Sequence, residues 1–151
     1  EFFEIIFNKS LFEDLADEQK AILEYAAEAG ARHVTGLPGV LYGEESRAAS
    51  WGRAVEELGW RGEQASAHGL GYGVEAHIGS LAPRPKTAVR LMAAVPGLTL
   101  TLDYTHFTRV GLPDKEVEPL VQHASHFHVR GGRKGRFSDY MSLPRYLRVK
   151  I

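Results

Sequence analysis

The sequence has no cysteine at all, and only two methionines and two tryptophans. Without a thiol there is neither a disulfide framework nor a thiolate metal site, so any metal must be held by histidine and carboxylate side chains. Charge of one sign is not in excess either. Lysine and arginine number 18 against 19 acids, for a net charge of −1, which gives no global pull toward nucleic acid or an anionic membrane. No apolar run approaches the roughly 18 residues of a membrane span. The aromatic start, Glu1-Phe2-Phe3-Glu4-Ile5-Ile6-Phe7, is too short and too acidic for a signal peptide, so the expected home is cytoplasmic. What is present is ordinary: 151 residues, 44% hydrophobic and 25% charged, enough for one domain with a sizeable core. The chain begins with Glu1 rather than Met, and residues 136–151 run basic and apolar without a turn or cap signal. Both features give the expectation of a piece of something longer.

Periodicity then orders the chain. Residues 2–7 suit a short strand. Over residues 17–29, Ile22, Tyr25, Ala26 and Ala29 recur at helical spacing, and Gly30 suits the end of the helix. Residues 32–37 form a second strand candidate. A second helix is expected from Ser46 or Ser50, with Trp51, Ala54, Val55 and Leu58 inward; Gly59 and Gly62 weaken its continuation, but residues 63–68 can extend it before the break at Gly69. Residues 72–78 read as a strand with Glu75 and His77 on one face. Residues 86–95 read as a helix with Val89, Met92 and Ala93 inward, and residues 98–103 as a strand alternating Leu with Thr. Residues 114–124 make a fourth helix, in which Pro119 is tolerable only in the first turn, and residues 126–130 a fifth strand. Strand and helix alternate throughout, which argues for parallel strands joined by right-handed crossovers, hence an α/β sheet or barrel.

In such an architecture the loops leaving the carboxyl ends of the strands share one side. Glu75 and His77, then Asp103 and His106, then His126 and His128 stand late in three consecutive strands. Two carboxylates and up to four imidazoles therefore converge on one rim. His33, His68 and His123 read as surface or loop histidines.

Val74-Glu75-Ala76-His77 followed by Gly79-Ser80, then Leu102-Asp103-Tyr104-Thr105-His106, then His126-Phe127-His128-Val129 resemble the xylose-isomerase-like barrel superfamily. That group holds sugar and sugar-phosphate isomerases and epimerases and, more distantly, endonuclease IV. The resemblance covers roughly residues 21–135. It implies a partial (β/α)8 TIM barrel and one divalent metal bound by a Glu, an Asp, a His and a final Glu from four successive strands. Carried over, Glu75, Asp103 and His128 match the first three ligands, and His106 matches a substrate-contacting histidine. Carboxylate oxygens with an imidazole suit Mn²⁺, Mg²⁺, Co²⁺ or Zn²⁺. Such a metal polarises a carbonyl and stabilises an enediolate while a carboxylate, here Glu75, takes the adjacent proton.

The chain departs from that pattern after His128. The acid often found three positions on is Gly131, and the single acid of the tail is Asp139, so no fourth ligand is evident. A full barrel needs about 200 residues or more, so the expectation is a single partial-barrel domain over residues 1–151. It lacks early strands and the last strand, and residues 136–151 form its uncertain tail. Residues 130–136 (Arg-Gly-Gly-Arg-Lys-Gly-Arg) read as a rim loop in which Arg130 and Arg133 contact a sugar or sugar phosphate. The expected partners are such a small molecule and, through unpaired strand edges, a second copy of the chain. Nucleic acid is not expected. The alternatives are a non-catalytic barrel remnant and an endonuclease IV-like phosphodiesterase. The latter is disfavoured because residues 131–151 contain no histidine to hold further metals.

Overall fold

The computed structural model describes residues 4–6, 16–41, 44–129, 131–133 and 136–138. Five strands, β1 (Glu4–Ile6), β2 (His33–Gly36), β3 (Gly71–Glu75), β4 (Thr99–Asp103) and β5 (Ala124–His128), are separated by α1 (Ala16–Glu28), α2 (Arg47–Ala67), α3 (Pro85–Ala94), α4 (Thr105–Arg109) and α5 (Asp114–Val117). A 3₁₀ turn, Glu118–His123, joins α5 to β5. A two-stranded antiparallel hairpin follows, β6 (Gly131–Arg133) and β7 (Arg136–Ser138).

Each of β1 to β5 pairs in parallel with the next, in strict chain order. A doubly wound sheet reverses its order at a switch point. Here the order never reverses, so right-handed crossovers place successive helices on one face, the arrangement of a barrel wall. That outer face is apolar. Val34, Tyr72, Val74, Leu100 and Leu102 alternate outward and join Leu23, Ala54, Leu58, Leu91 and Leu120 from the helical layer in one core.

Helix α2 runs through both glycines to Ala67, along the extension expected over residues 63–68. Ser46 caps it, its Oγ accepting from Ala49 N at 3.2 Å, while Ser50 is buried and donates instead to Glu45 Oε2 at 2.6 Å. Gly59 and Gly62 cost about 1 kcal/mol each relative to alanine. The helix runs through them because Ser50, Ala54, Leu58, Arg61 and Ala65 form a continuous buried stripe, and Arg61, buried with them, donates to Glu57 Oε1 at 2.8 Å. Gly69, at φ +72°, reverses the chain into β3.

Several expected elements differ. Tyr25 is 61% exposed, and Gln19, Leu23 and Ala26 form the buried stripe of α1. Ala93 faces solvent, whereas Ala88, Leu91 and Met92 face the core. Strand β3 ends at Glu75, which leaves His77 in the following loop. The helix expected over residues 114–124 is α-helical for one turn only. Pro119 cannot donate the α-helical hydrogen bond, so the chain tightens into the 3₁₀ turn and Ala124 enters β5. The expected rim loop over residues 130–136 instead holds strand β6 and the first residue of β7. Arg130, residues 134–135 and residues 139–151 lie outside the described residues, as does the Arg133 side chain.

Candidate metal centre

The inner face of the sheet is built by register. Gly73 pairs with Thr99 and Glu75 with Thr101; Thr101 pairs with His126 and Asp103 with His128. Between Leu100 and Thr101 the register of β4 against β5 shifts by one residue. Leu100 lies opposite Ala124, yet Thr101 lies opposite His126, so Ser125 is the extra residue and its Oγ donates to Thr99 Oγ1 at 2.7 Å. Side chains alternate with period two, so without this bulge Phe127 would stand beside Asp103 and the histidines would face the helices. The bulge delivers His126 and His128 to the inner face.

Glu75 is the hub. Its Oε1 accepts from His128 Nδ1 at 3.0 Å and from His106 Nε2 at 3.3 Å. Burial alone would raise its pKa, but the hydrogen bonds from His106 and His128, together with their charge, outweigh burial and hold the carboxyl well below the usual carboxylate range. Glu75 is therefore a carboxylate at neutral pH. Asp103 is 1% exposed. One of its oxygens, Oδ1, accepts from the backbone N of Thr105 at 2.9 Å and from the Thr105 hydroxyl, which fixes the start of α4. The other, Oδ2, lies 3.7 Å from His106 Nε2. Donor atoms of Glu75, Asp103 and His106 all lie within 4.8 Å of one another.

The fold thus brings together the four residues singled out in the sequence, at the carboxyl ends of three adjacent strands. His128 reaches the cluster through Glu75, and His106 stands between the two carboxylates. With metal–donor bonds of about 2.1 Å, neighbouring donors in a four- to six-coordinate shell stand about 3 to 3.5 Å apart. The Glu75–His128 and Glu75–His106 separations of 3.0 and 3.3 Å match that spacing. Two carboxylates and the His106 imidazole, whose donor atoms lie together, form a hard-to-borderline donor set that fits a divalent cation, with His106 in the group where the sequence pattern put His128.

Sequence reasoning missed His33. It is 7% exposed on the inner face, with Nε2 3.3 Å from Thr101 Oγ1, and its ring stacks on His126 with centroids 5.6 Å apart. Thr35 Oγ1 closes the set at 2.7 Å from Thr101 Oγ1. Alternation within residues 33–36 carried the signal for His33 and Thr35 sharing a face, but not which face was buried. His77 lies above the rim, its ring 5.7 Å from that of His106. A groove of about 590 Å³ between α3 and α5, lined by Arg84, Pro85, Val89, Lys115 and Pro119, is on the helical side, away from these groups.

A family model for the xylose isomerase-like TIM barrel matches residues 7–143. The chain belongs to that family. Among solved structures, this xylose isomerase-like chain is similar to an L-ribulose 3-epimerase at 15% identity and a TM-score of 0.73, covering 86% of this chain and 50% of that one. A xylose isomerase-like TIM barrel protein from Mycobacterium smegmatis in complex with magnesium is 14% identical with a TM-score of 0.70, over 85% and 51% of the two chains. An AP endonuclease, family 2, from Brucella melitensis is 17% identical with a TM-score of 0.68, over 98% and 66%. The chain spans between half and two thirds of the length of these neighbours. No curated protein matches it. Among the described residues no helix is long and apolar enough to cross a membrane.

Proposed function

We infer that the chain is one partial-barrel domain carrying a divalent-metal site for isomerising or epimerising a sugar or sugar phosphate. The observation that carries this reading is the Glu75 hub, with His128 and His106 at 3.0 and 3.3 Å on the rim where this fold places its chemistry. The epimerase and the magnesium complex among its neighbours support it. Glu75, Asp103 and His128 would hold the ion, with His106 either completing the donor set or meeting substrate. A bound divalent cation there supplies Lewis-acid polarisation of a carbonyl and stabilises charge developing on its oxygen.

The chain's own residues do the rest. Asp103, buried and locked by Thr105, keeps its other oxygen turned toward His106. His106, held against both carboxylates, is the candidate to hydrogen-bond a substrate hydroxyl. Glu75 has a strongly lowered pKa, which favours the role of ligand; a general base works best with a pKa near the working pH. Arg130 and Arg133 remain the candidates for a substrate's phosphate or acid group, and β5, at the edge of the described sheet, for pairing with a second copy.

The test is solvent exchange. The chain, Mn²⁺ and a panel of ketoses and ketose phosphates are incubated in D₂O and followed by ¹H NMR. The reading expects deuterium at the carbon next to the carbonyl of at least one sugar, and no such exchange with Asp103→Asn. Binding of Mn²⁺ without exchange on any sugar would favour the non-catalytic remnant.

A further inference from the structure

We propose that His33 is a positioning residue that holds the His128 ring toward Glu75 through His126. The proposal rests on the reading of His128 as a ligand but adds a residue that neither the rim nor the sequence motifs include.

The inner face below the rim carries a continuous row of imidazoles. His33 and His126 stack with centroids 5.6 Å apart and planes inclined by 14°. His126 meets His128 edge to face, at 5.9 Å and 85°. His128 Nδ1 then reaches Glu75 Oε1 at 3.0 Å. Three rings joined by one stacked and one edge-to-face contact leave little freedom at the last one, and both arrangements lie in the range where ring pairs attract.

The first ring of the row is itself fixed from every side that the strands provide. Thr101 Oγ1 lies 3.3 Å from its Nε2 and is tied in turn to Thr35. Two glycines of β3 make its berth. A Cβ on Gly73 would fall 2.8 Å from His33 Nε2, and one on Gly71 would fall 3.1 Å from His33 Nδ1. The strand has given up side chains at two consecutive inner positions, and this ring fills the space. A histidine merely buried for packing needs neither a hydrogen bond from a neighbouring threonine pair nor a second imidazole laid flat on it.

The consequence concerns orientation. Rotating the His128 ring by half a turn would present a carbon to Glu75 in place of Nδ1. His126, held flat by His33, abuts the ring and opposes that rotation. Hydrogen-bonded partners that orient a metal-binding histidine typically contribute ten- to hundredfold to metal affinity, and a packed ring is expected to act at the lower end of that range.

The experiment compares the wild-type chain with His33→Ala, His33→Gln and His33→Phe. His33→Gln keeps an amide toward Thr101 without a ring, and His33→Phe keeps a ring without the hydrogen bond. The first readout needs no metal: long-range ¹H–¹⁵N correlation of the His128 imidazole in the metal-free protein. The proposal expects a single Nδ1-protonated form hydrogen-bonded to Glu75 in wild type and His33→Phe, and averaged nitrogen shifts in His33→Ala and His33→Gln. The second readout is Mn²⁺ affinity, expected to fall about tenfold in His33→Ala and His33→Gln and to recover in His33→Phe. Unchanged His128 shifts in His33→Gln would overturn the proposal whatever the metal does. Should His33→Ala fail to fold, the Gln and Phe pair carries the same contrast. If no form binds Mn²⁺ but the shifts respond as expected, the metal reading fails while the positioning role stands.

Discussion

The two faces of one sheet are built on opposite terms. On the outer face Val34, Val74, Leu100 and Leu102 are all but inaccessible and packed against helices. On the inner face the same strands present His33, Thr35, Glu75, Thr101, Asp103, His126 and His128, joined by hydrogen bonds and ring contacts. A barrel interior is usually filled by layers of branched apolar residues. Buried polar groups are costly unless satisfied, so the inner face spends stability on geometry while the outer face supplies it. Substitutions on the two faces should therefore fail in different ways.

The largest expected effect on stability is at the outer face. Leu100→Ala removes a fully buried side chain and should cost about 2 to 5 kcal/mol in urea unfolding, while the folded fraction keeps wild-type metal affinity. A loss of affinity without a loss of stability would erase the distinction between the faces. Next comes Gly73→Ala on the inner face. The added methyl meets His33 at 2.8 Å and Thr101 at 3.1 Å, for an expected cost of about 1 to 3 kcal/mol accompanied by weaker Mn²⁺ binding. Affinity equal to wild type would show that the histidine row tolerates displacement.

A third comparison uses pH. The folded-state pKa of Glu75 lies below its ordinary value of 4.5. Its contribution to the stability of the metal-free protein is therefore fully present above that value and lost as pH falls below it. The urea midpoint should drop more steeply between about pH 5 and about pH 3 in wild type than in Glu75→Gln; parallel curves would contradict the hydrogen-bonded hub. The smallest effect belongs to the helical exterior. Arg90 lies 4.3 Å over the Trp51 ring, and Arg90→Ala should cost about 0.5 to 1 kcal/mol with no change at the rim.

How much of this was legible in the sequence follows the same division. Helix and strand order, and the strand-end position of Glu75, Asp103 and His128, depend on local period and could be read directly. Residues 33–36 could be read as a strand, but not that His33 meets Thr101, 68 positions away, because the contact exists only once two crossovers have placed β2, β3 and β4 side by side. The bulge at Ser125 is of the same kind. A one-residue surplus has no meaning until a partner strand counts against it, yet it decides which face receives His126 and His128. Pro119 on sequence alone constrains where a helix can start; in the fold it is the point where the hydrogen-bond pattern tightens.

The central claim is that the inner face holds a divalent cation at the Glu75 hub. Calorimetric titration of Mn²⁺ into the wild-type chain and into Asp103→Asn tests it most directly, since asparagine can still accept from Thr105 and so preserves the start of α4. The account predicts one site in the wild type, weakened more than about a hundredfold in Asp103→Asn, a larger loss than that from removing an orienting partner. Equal affinity in the two proteins would contradict it.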